Sequence, residues 1–267
     1  MPSCLIGRLQ VGGGAPVRLM GVINCSPESF YAGSYVPPGD VREQALAMTR
    51  DGADIIDIGA RATGPGAPPL PPSGEMARIE EALSALDGSG IPVSVDTTVP
   101  EVLEACLRHD VAAVNDIRGL ADPLFGQLVS GSGLPLIAMA SRVRPGDART
   151  LEETVENLKG VMARCARHEI DQYILDPAIG LWVQGRTPAL DWLLCRNFRR
   201  FTEFDRPVLA AVSRKSFLGD LLGRDPKGRL AGSLAVTVLL VRQGAAMVRT
   251  HDVKETRDAL AVLQRMG

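Results

Sequence analysis

The sequence has few of the features that mark nucleic-acid-binding or membrane proteins. Aromatic residues make up only 4% of the 267 residues, too few for the stacking platforms that hold bases. The 29 Lys and Arg are balanced by 31 Asp and Glu, so no basic surplus favours binding to a polyanion. No stretch approaches the ~20 uninterrupted apolar residues of a transmembrane helix, and the N-terminus has no signal-like apolar region. We therefore expect a cytoplasmic protein that binds neither nucleic acid nor membrane.

Cysteine is also scarce, and its pattern excludes two further classes of protein. The five cysteines are scattered and odd in number, and none forms a Cys-x-x-Cys pair. This pattern therefore argues against both a disulfide-stabilised scaffold and a zinc module. Hydrophobic residues at 45% and charged residues at 22% lie near globular averages, which excludes a disordered chain.

Short apolar runs alternate with segments of helical periodicity along the chain. The runs are nearly continuous, which is typical of parallel strands covered on both faces. The predicted strands are 18–24, 53–58, 91–96, 111–116, 134–139, 172–177, 206–212 and 245–250. The predicted helices lie near 40–51, 74–88, 99–108, 121–130, 150–168, 188–200, 215–222, 228–243 and 252–265.

Eight βα units in ~250 residues predict an α/β fold, a (β/α)8 TIM barrel that forms a single domain over residues 1–267. A doubly wound open sheet is the alternative, but the first predicted strand lacks the Gly-x-Gly-x-x-Gly turn of dinucleotide-binding sheets. The glycines at 12–14 precede that strand, so we expect a hairpin or loop at the bottom of the barrel. The Pro-rich stretch 65–72 lies inside a βα connection and predicts a long loop rather than a domain boundary.

Polar side chains recur where the predicted strands end. In such a barrel the C-terminal strand ends and the following loops form the active face. A single Asp or Asn there is commonplace because these residues cap helices, but a ring from many strands favours a functional site. The polar residues at or just after the strand ends are Asn24, Asp57, Arg61, Thr63, Asp96, Asn115, Asp116, Asp176, Ser213, Arg214, Lys215, Arg249, Thr250 and His251.

One part of this ring suits a flat polar heterocycle. Asp96, Asn115 and Asp176 follow different strands and bring carboxylate and amide groups to the same end of the barrel. Such groups can bind a ring that has a guanidine-like donor edge, for example a 2-amino-4-oxo heterocycle. The sequence therefore predicts a heterocycle site at the third, fourth and sixth strands.

The other part of the ring suits a phosphate and a metal ion. Lys215, Arg249 and His251 form a cationic arc after the last two strands, on the side where barrels often hold phosphate. Asn24 supplies an oxygen that can ligate Mg²⁺, which takes few protein ligands together with phosphate oxygens. A heterocycle, a phosphate and a metal together predict displacement at a carbon that carries a pyrophosphate leaving group.

All of these strand-end residues except Arg61 and Thr63 lie in eight motifs, and the motifs occur in the same order in one enzyme family. The motifs are MGVINCSPESF, GADIIDIG, VSVDTT, VNDIRG, ILDPAIG, VSRKSFLGDLLGR, RLAGSLA and VRTHDVKET, from about residue 20 to residue 255. Together they resemble the dihydropteroate synthase family of pterin-binding TIM barrels. The SRKSF and Arg-x-His-Asp-Val elements are specific to that family.

The resemblance implies an activity and a pterin site. Enzymes of this family are transferases of folate biosynthesis that join 6-hydroxymethyl-7,8-dihydropterin diphosphate to an aryl amine, 4-aminobenzoate, and release pyrophosphate. The similarity places pterin recognition on Asp96, Asn115, Asp176 and Lys215. The implied partners are these two small molecules, and the sequence leaves room for a homodimer.

The resemblance also implies a diphosphate site with a metal cofactor. It places the diphosphate on Asn24 with Mg²⁺, on Thr63, and on Arg249 and His251. Lys215, Arg249 and His251 are the catalytic candidates, because cations held in place stabilise the charge that develops on the departing pyrophosphate.

Departures from the family pattern lie mainly on the amine side. The loop after the second strand usually reads Gly-Gly-Glu-Ser-Thr-Arg-Pro-Gly, whereas here it reads GARATGPG. Gly64 therefore replaces an arginine that meets both pyrophosphate and aminobenzoate in the family, and Arg61 is the candidate substitute. Leu181 and Trp182 replace Gly-Phe, and Glu28 replaces Asp. These changes affect the prediction of the second substrate, the aryl amine, more than that of the first, the pterin diphosphate.

Three interpretations of the function follow from these patterns. The first is a dihydropteroate synthase whose amine is 4-aminobenzoate or a ribosylated aniline, as in methanopterin-type pathways. The second is a protein similar to pterin-dependent methyltransferases, marked by a methylpterin, a corrinoid acceptor and no pyrophosphate chemistry. The third is a non-catalytic pterin-binding homologue, marked by pterin binding without turnover of any amine.

Overall fold

The strands form a small hairpin and a large parallel sheet. The computed structural model describes residues 2–28, 32–64 and 66–266. The strands of these residues are β1 (Ser3–Ile6), β2 (Leu9–Gly12), β3 (Arg18–Asn24), β4 (Ile55–Gly59), β5 (Val93–Asp96), β6 (Ala113–Asp116), β7 (Leu136–Met139), β8 (Tyr173–Asp176), β9 (Leu209–Ala210) and β10 (Met247–Thr250). β1 and β2 pair antiparallel, and the other strands pair in the order β8-β7-β6-β5-β4-β3-β10-β9.

The parallel sheet closes on itself. Leu175 of β8 forms a parallel bridge with Val208, just before β9, and the amide of Leu175 donates to the carbonyl of Pro207 at 2.9 Å. These contacts join the first and last strands of the sheet. The predicted TIM barrel is therefore confirmed, and the open-sheet alternative is excluded.

A helix follows each barrel strand and covers its outer face. The α-helices of the described residues are α1 (Val41–Asp51), α2 (Pro72–Leu86), α3 (Pro100–Cys106), α4 (Pro123–Ser132), α5 (Leu151–Arg167), α6 (Pro188–Arg196), α7 (Ser216–Leu222), α8 (Leu230–Arg242) and α9 (Val253–Arg265). Several begin with proline at the first or second helical position, where the missing amide removes no helical hydrogen bond. The predicted helix 188–200 ends early at Arg196, and a 3-10 segment continues over Phe198–Phe204.

The alternation of side chains along the strands separates two apolar cores. Outward residues such as Ile56, Ile58, Val93 and Val95 pack into the core beneath the helices. The second core fills the bottom of the barrel, and its buried members are Cys4, Ile6, Val11, Met20, Ile55, Ala113, Ile137, Ile174, Leu209, Ala211 and Met247. Three of these belong to the β1–β2 hairpin, which therefore closes the N-terminal end of the barrel, as the glycines at 12–14 predicted.

The same alternation makes the upper part of the barrel interior polar. Successive side chains of a strand point to opposite faces, so residues two positions apart share a face. Asp57 follows Ile55, Asn115 follows Ala113, Asp176 follows Ile174 and Arg249 follows Met247, each by two positions. The strands thus carry these polar groups inward, directly above an apolar floor.

Within residues 2–28, 32–64 and 66–266, no helix is both long and apolar enough to cross a bilayer.

Candidate active site

Arg249 on β10 links the carboxylates of two other strands. Its Nε donates to Asp57 Oδ2 at 2.6 Å, and its Nη2 donates to Asp96 Oδ2 at 2.8 Å. The amide Nδ2 of Asn115 donates to the same Asp57 oxygen at 3.0 Å. Burial disfavours the charged guanidinium, but Asp57 and Asp96 outweigh it and raise the pKa of Arg249. The structure therefore brings three predicted site residues, Asp96, Asn115 and Arg249, into one network.

The carboxyl group of Asp96 has a pKa close to neutral pH. Burial raises the pKa of its carboxyl to about 7, with Arg249 opposing this rise and Asp57 adding to it. Such a carboxyl can accept from or donate to a bound ring at neutral pH. This property suits recognition of a heterocycle that carries both donors and acceptors.

Lys215 lies after β9, the strand next to β10, which carries Arg249, and just before α7. Its Nζ donates to the carbonyl of Ile179 at 2.7 Å and lies 4.5 Å from the centroid of the Trp182 ring. Burial lowers the pKa of Lys215 to about 8, and the nearby Asp176 carboxylate opposes that change. Burial likewise raises the pKa of Asp176, with Lys215 as the main opposing charge. Lys215 therefore offers a donor and Asp176 an acceptor, and the charge of each favours the ionised form of the other.

His251 differs from the cationic residue that the sequence predicted. Its Nδ1 lies 3.0 Å from the Ser213 Oγ. Burial, followed by the charges of Arg249, Arg214 and Lys215, lowers the pKa of His251 to about 3. The imidazole is therefore neutral at physiological pH, and the predicted arc consists of two cations and a neutral hydrogen-bonding group.

Asn24 lies at the end of β3 with its amide oriented by a neighbour. Its Nδ2 donates to the Ser34 Oγ at 2.8 Å. Its Oδ1 and the Oδ2 of Asp96 each lie 3.7 Å from the position that a Cβ would take at Gly59, so both oxygens flank the same glycine at the mouth. Within the described residues, no group of three His, Cys, Asp or Glu side chains is arranged to hold a metal. A single amide oxygen fits an Mg²⁺ ion whose other ligands are phosphate oxygens and water.

Arg61 is engaged by a buried glutamate. Its Nε donates to Glu75 Oε2 at 2.6 Å, and the Thr97 hydroxyl donates to the other oxygen of Glu75 at 2.6 Å. Thr63 and Gly64 are exposed in the same loop, and Pro65 lies outside the described residues. The substrate contacts of Arg61 and Thr63 stay predictions, because the structure does not bring these two side chains to the Arg249 network.

Asp57 is the site residue whose importance the sequence did not reveal. It was expected at a strand end, but it lies in the middle of β4 and is 0% exposed. Its Oδ1 has no hydrogen-bond partner among the described residues, and neither has the buried Oγ of Ser94, the residue that pairs with Asp57 across β4 and β5. Asp57 lies two positions after the inward-facing Ile55, and this spacing was the signal that could have placed it inside the barrel.

Comparisons with known proteins agree with this geometry. Residues 20–251 match the family described as pterin binding enzyme. The chain is 34% identical over 262 residues to dihydropteroate synthase type-3 of Escherichia coli, which covers 94% of this chain and 99% of that one.

Solved structures of similar proteins have the same fold. A Coxiella burnetii dihydropteroate synthase in complex with pteroic acid has a TM-score of 0.87, is 30% identical, and aligns over 100% of this chain and 98% of that one. A Xanthomonas albilineans dihydropteroate synthase with 4-aminobenzoic acid has a TM-score of 0.88 at 32% identity, over 99% and 98% of the two chains. The resemblance seen in the sequence is confirmed: the chain belongs to the dihydropteroate synthase family of pterin binding enzymes.

Proposed function

We propose that the protein is a dihydropteroate synthase, a transferase that joins 6-hydroxymethyl-7,8-dihydropterin diphosphate to 4-aminobenzoate and releases pyrophosphate. Relatives over nearly the whole chain carry that name. Related structures were solved with pteroic acid, with 4-aminobenzoic acid and with 7,8-dihydropteroate. These are a product-like molecule, an amine substrate and a product of the proposed reaction.

The observation that carries this proposal is the polar lining of one barrel end. Asp96, Asn115 and Asp176 bring acceptor groups from three strands to the same mouth. The 2-amino and ring N–H groups of a pterin form a donor edge that carboxylates can accept from in a paired geometry. Lys215, beside Asp176, offers a donor to an acceptor of the same ring. A pterin therefore finds complementary groups on both of its polar edges.

The diphosphate would lie on the Arg249 side of the mouth. As the C–O bond breaks, the pyrophosphate leaves with the electron pair, and the guanidinium stabilises the charge that develops on it. His251, which is neutral in this site, donates or accepts a hydrogen bond there. The amine nitrogen then forms the C–N bond with its own lone pair and passes one of its N–H protons to water. An aryl amine is neutral at physiological pH, so no strong base is required.

We further propose Mg²⁺ as the cofactor, with Asn24 as its protein ligand. When bound, the ion would neutralise charge on the diphosphate and so favour departure of the leaving group. The Ser34 hydroxyl, which accepts from the Asn24 amide nitrogen, fixes which end of the amide carries the oxygen toward the mouth.

The amine side of the site is the part in which this chain differs from its family. A Cβ at Gly64 would meet no heavy atom within 4 Å, so the loop after β4 leaves space where the family has an arginine. Trp182 forms the wall beside Lys215. This space suits 4-aminobenzoate held without that arginine, and it also suits the larger ribosylated anilines. A homodimer and a cytoplasmic location stay predictions.

The test is a pyrophosphate-release assay with the purified protein, Mg²⁺ and the dihydropterin diphosphate. Pyrophosphate and dihydropteroate formed only when 4-aminobenzoate is present would support the proposal. Release with a ribosylated aniline alone would keep the synthase chemistry and change the amine. Pterin binding without turnover of any amine would instead favour the non-catalytic homologue, and methyl transfer from a methylpterin would favour the methyltransferase.

A further inference from the structure

Asp57 occupies a position below the substrate-binding groups. Its side chain points into the barrel from the middle of β4, and one of its oxygens accepts both from the Arg249 Nε at 2.6 Å and from the Asn115 Nδ2 at 3.0 Å. Arg249 belongs to the proposed diphosphate site and Asn115 to the proposed pterin site. A single carboxylate oxygen therefore ties the two halves of the active site together.

The way in which Arg249 is held determines which of its donors remain for a substrate. Asp57 engages Nε and Asp96 engages Nη2, so neither carboxylate uses Nη1. The guanidinium is a rigid planar fork, and a partner at Nε fixes its plane as well as its position. The N–H groups of Nη1 therefore point in one fixed direction.

The unsatisfied half of the Asp57 carboxylate argues against a purely stabilising role. Burial of a carboxylate is costly unless its oxygens are paired, and yet Asp57 Oδ1 and the neighbouring Ser94 Oγ have no hydrogen-bond partner among the described residues. An ion pair kept only for the stability of the fold would normally have both oxygens satisfied. Groups that are buried at such a cost concentrate at functional sites.

We propose that Asp57 is a positioning residue of the synthase reaction. It holds the guanidinium of Arg249 and the amide of Asn115 in the orientations in which they meet the diphosphate and the pterin, and it does not contact the leaving group itself. This inference rests on the proposed function, because it assigns Asp57 a role in that reaction.

The Asp57→Asn variant tests this role with little change in shape. Asparagine retains a carbonyl that can accept from Asn115, but it removes the charge that holds the Nε of Arg249. We expect kcat to fall ~10- to 100-fold, the effect of a misplaced stabilising group. We expect the KM for the pterin diphosphate not to rise, because the loss of a negative charge near an anionic substrate favours its binding.

Two further variants separate positioning from general damage. Asp54→Asn removes a carboxylate just before β4 that pairs with Arg18 at 3.2 Å, at the N-terminal end of the barrel and away from the mouth; its kcat is expected to match wild type. Arg249→Lys keeps the charge but has no Nε, so it should lose kcat by itself, and Asp57→Asn should add less than ~2-fold in that background, since coupled residues are not additive.

Thermal unfolding and pterin-binding stoichiometry would show that each variant is folded. Unchanged kcat in Asp57→Asn or in Arg249→Lys would overturn the inference. So would a double variant in which Asp57→Asn lowers kcat by the same factor as it does in the wild-type background. The lysine variant keeps the inference testable even if Asp57→Asn does not fold. If the wild-type protein releases no pyrophosphate with any amine, the proposed function itself fails, and these losses of kcat are then not the deciding result.

Discussion

Replacement of Lys215 by methionine is the sharpest test of the proposed pterin site. Methionine keeps an unbranched stem beside Gly180, where the Lys215 Cδ lies 2.7 Å from the position of a Cβ, and removes only the ammonium. Because burial lowers the pKa of Lys215 to about 8, roughly 90% of the side chain is charged at pH 7. The variant therefore removes a donor that is almost fully cationic in the wild-type protein.

The expected loss follows from two effects of that charge. A charge-assisted hydrogen bond to the pterin contributes ~1.5–3 kcal/mol, which corresponds to ~10- to 150-fold in Kd. Lys215 is also the main charge that opposes the raised pKa of Asp176. Without it, Asp176 holds its proton more strongly and becomes a poorer acceptor, so we expect the loss at the upper end of this range.

Calorimetry with the pterin diphosphate at pH 7 in the presence of Mg²⁺ measures this loss directly. Lys254→Met is the matched control, because Lys254 is exposed on α9 and its variant should bind the pterin as wild type does. A change of less than ~3-fold in Lys215→Met would refute the assignment, since even a weak charge-assisted bond exceeds that value.

The remaining predictions concern pH and the loop after β4. The kcat/KM should rise as pH passes about 7, where Asp96 loses its proton, and fall above about 8, where Lys215 loses its proton; a profile flat from ~6 to ~9 would contradict both roles. Arg61→Ala should lower the free energy of unfolding by ~1–3 kcal/mol, because buried Glu75 loses its ion-pair partner; a ~10²-fold loss of turnover at unchanged stability would instead place Arg61 on the substrate. Gly64→Arg should lower the KM for 4-aminobenzoate ~10-fold through a new charge-assisted bond, and an unchanged KM would show that the amine lies elsewhere.

The parts of the site that could be predicted from sequence are those fixed by strand direction. Parallel strands deliver their C-terminal ends to one face, so Asp96 and Asn115, at the ends of consecutive strands, had to lie close together. The structure agrees, because their register pairs them directly across β5 and β6. The position of Lys215 after the short strand β9 followed from the same reasoning.

Other features depend on burial and on partners that are remote in sequence. Arg249 and Asp57 are 192 residues apart, and nothing in either local pattern indicates that they pair. The neutral state of His251 comes from burial and from the charges of Arg249, Arg214 and Lys215, which lower its pKa, whereas a sequence shows only the ordinary pKa of histidine. Nothing in the loop that contains Arg61 indicates that Glu75 on α2 accepts from it, and the contact of Arg61 with substrate stays a prediction.

The site lies where the inward-facing residues of the strands change from apolar to polar. On four strands the inward-facing position near the bottom of the barrel carries an apolar residue, and the next inward position carries Asp57, Asn115, Asp176 or Arg249. Buried charges of this kind cost stability even when paired, and the raised pKa of Asp176 reflects that cost. The apolar floor and the hairpin beneath it supply the burial that offsets this cost. The polar layer is therefore retained for what it binds, and its mixture of carboxylates and cations matches a substrate with a donor-rich ring at one end and an anion at the other.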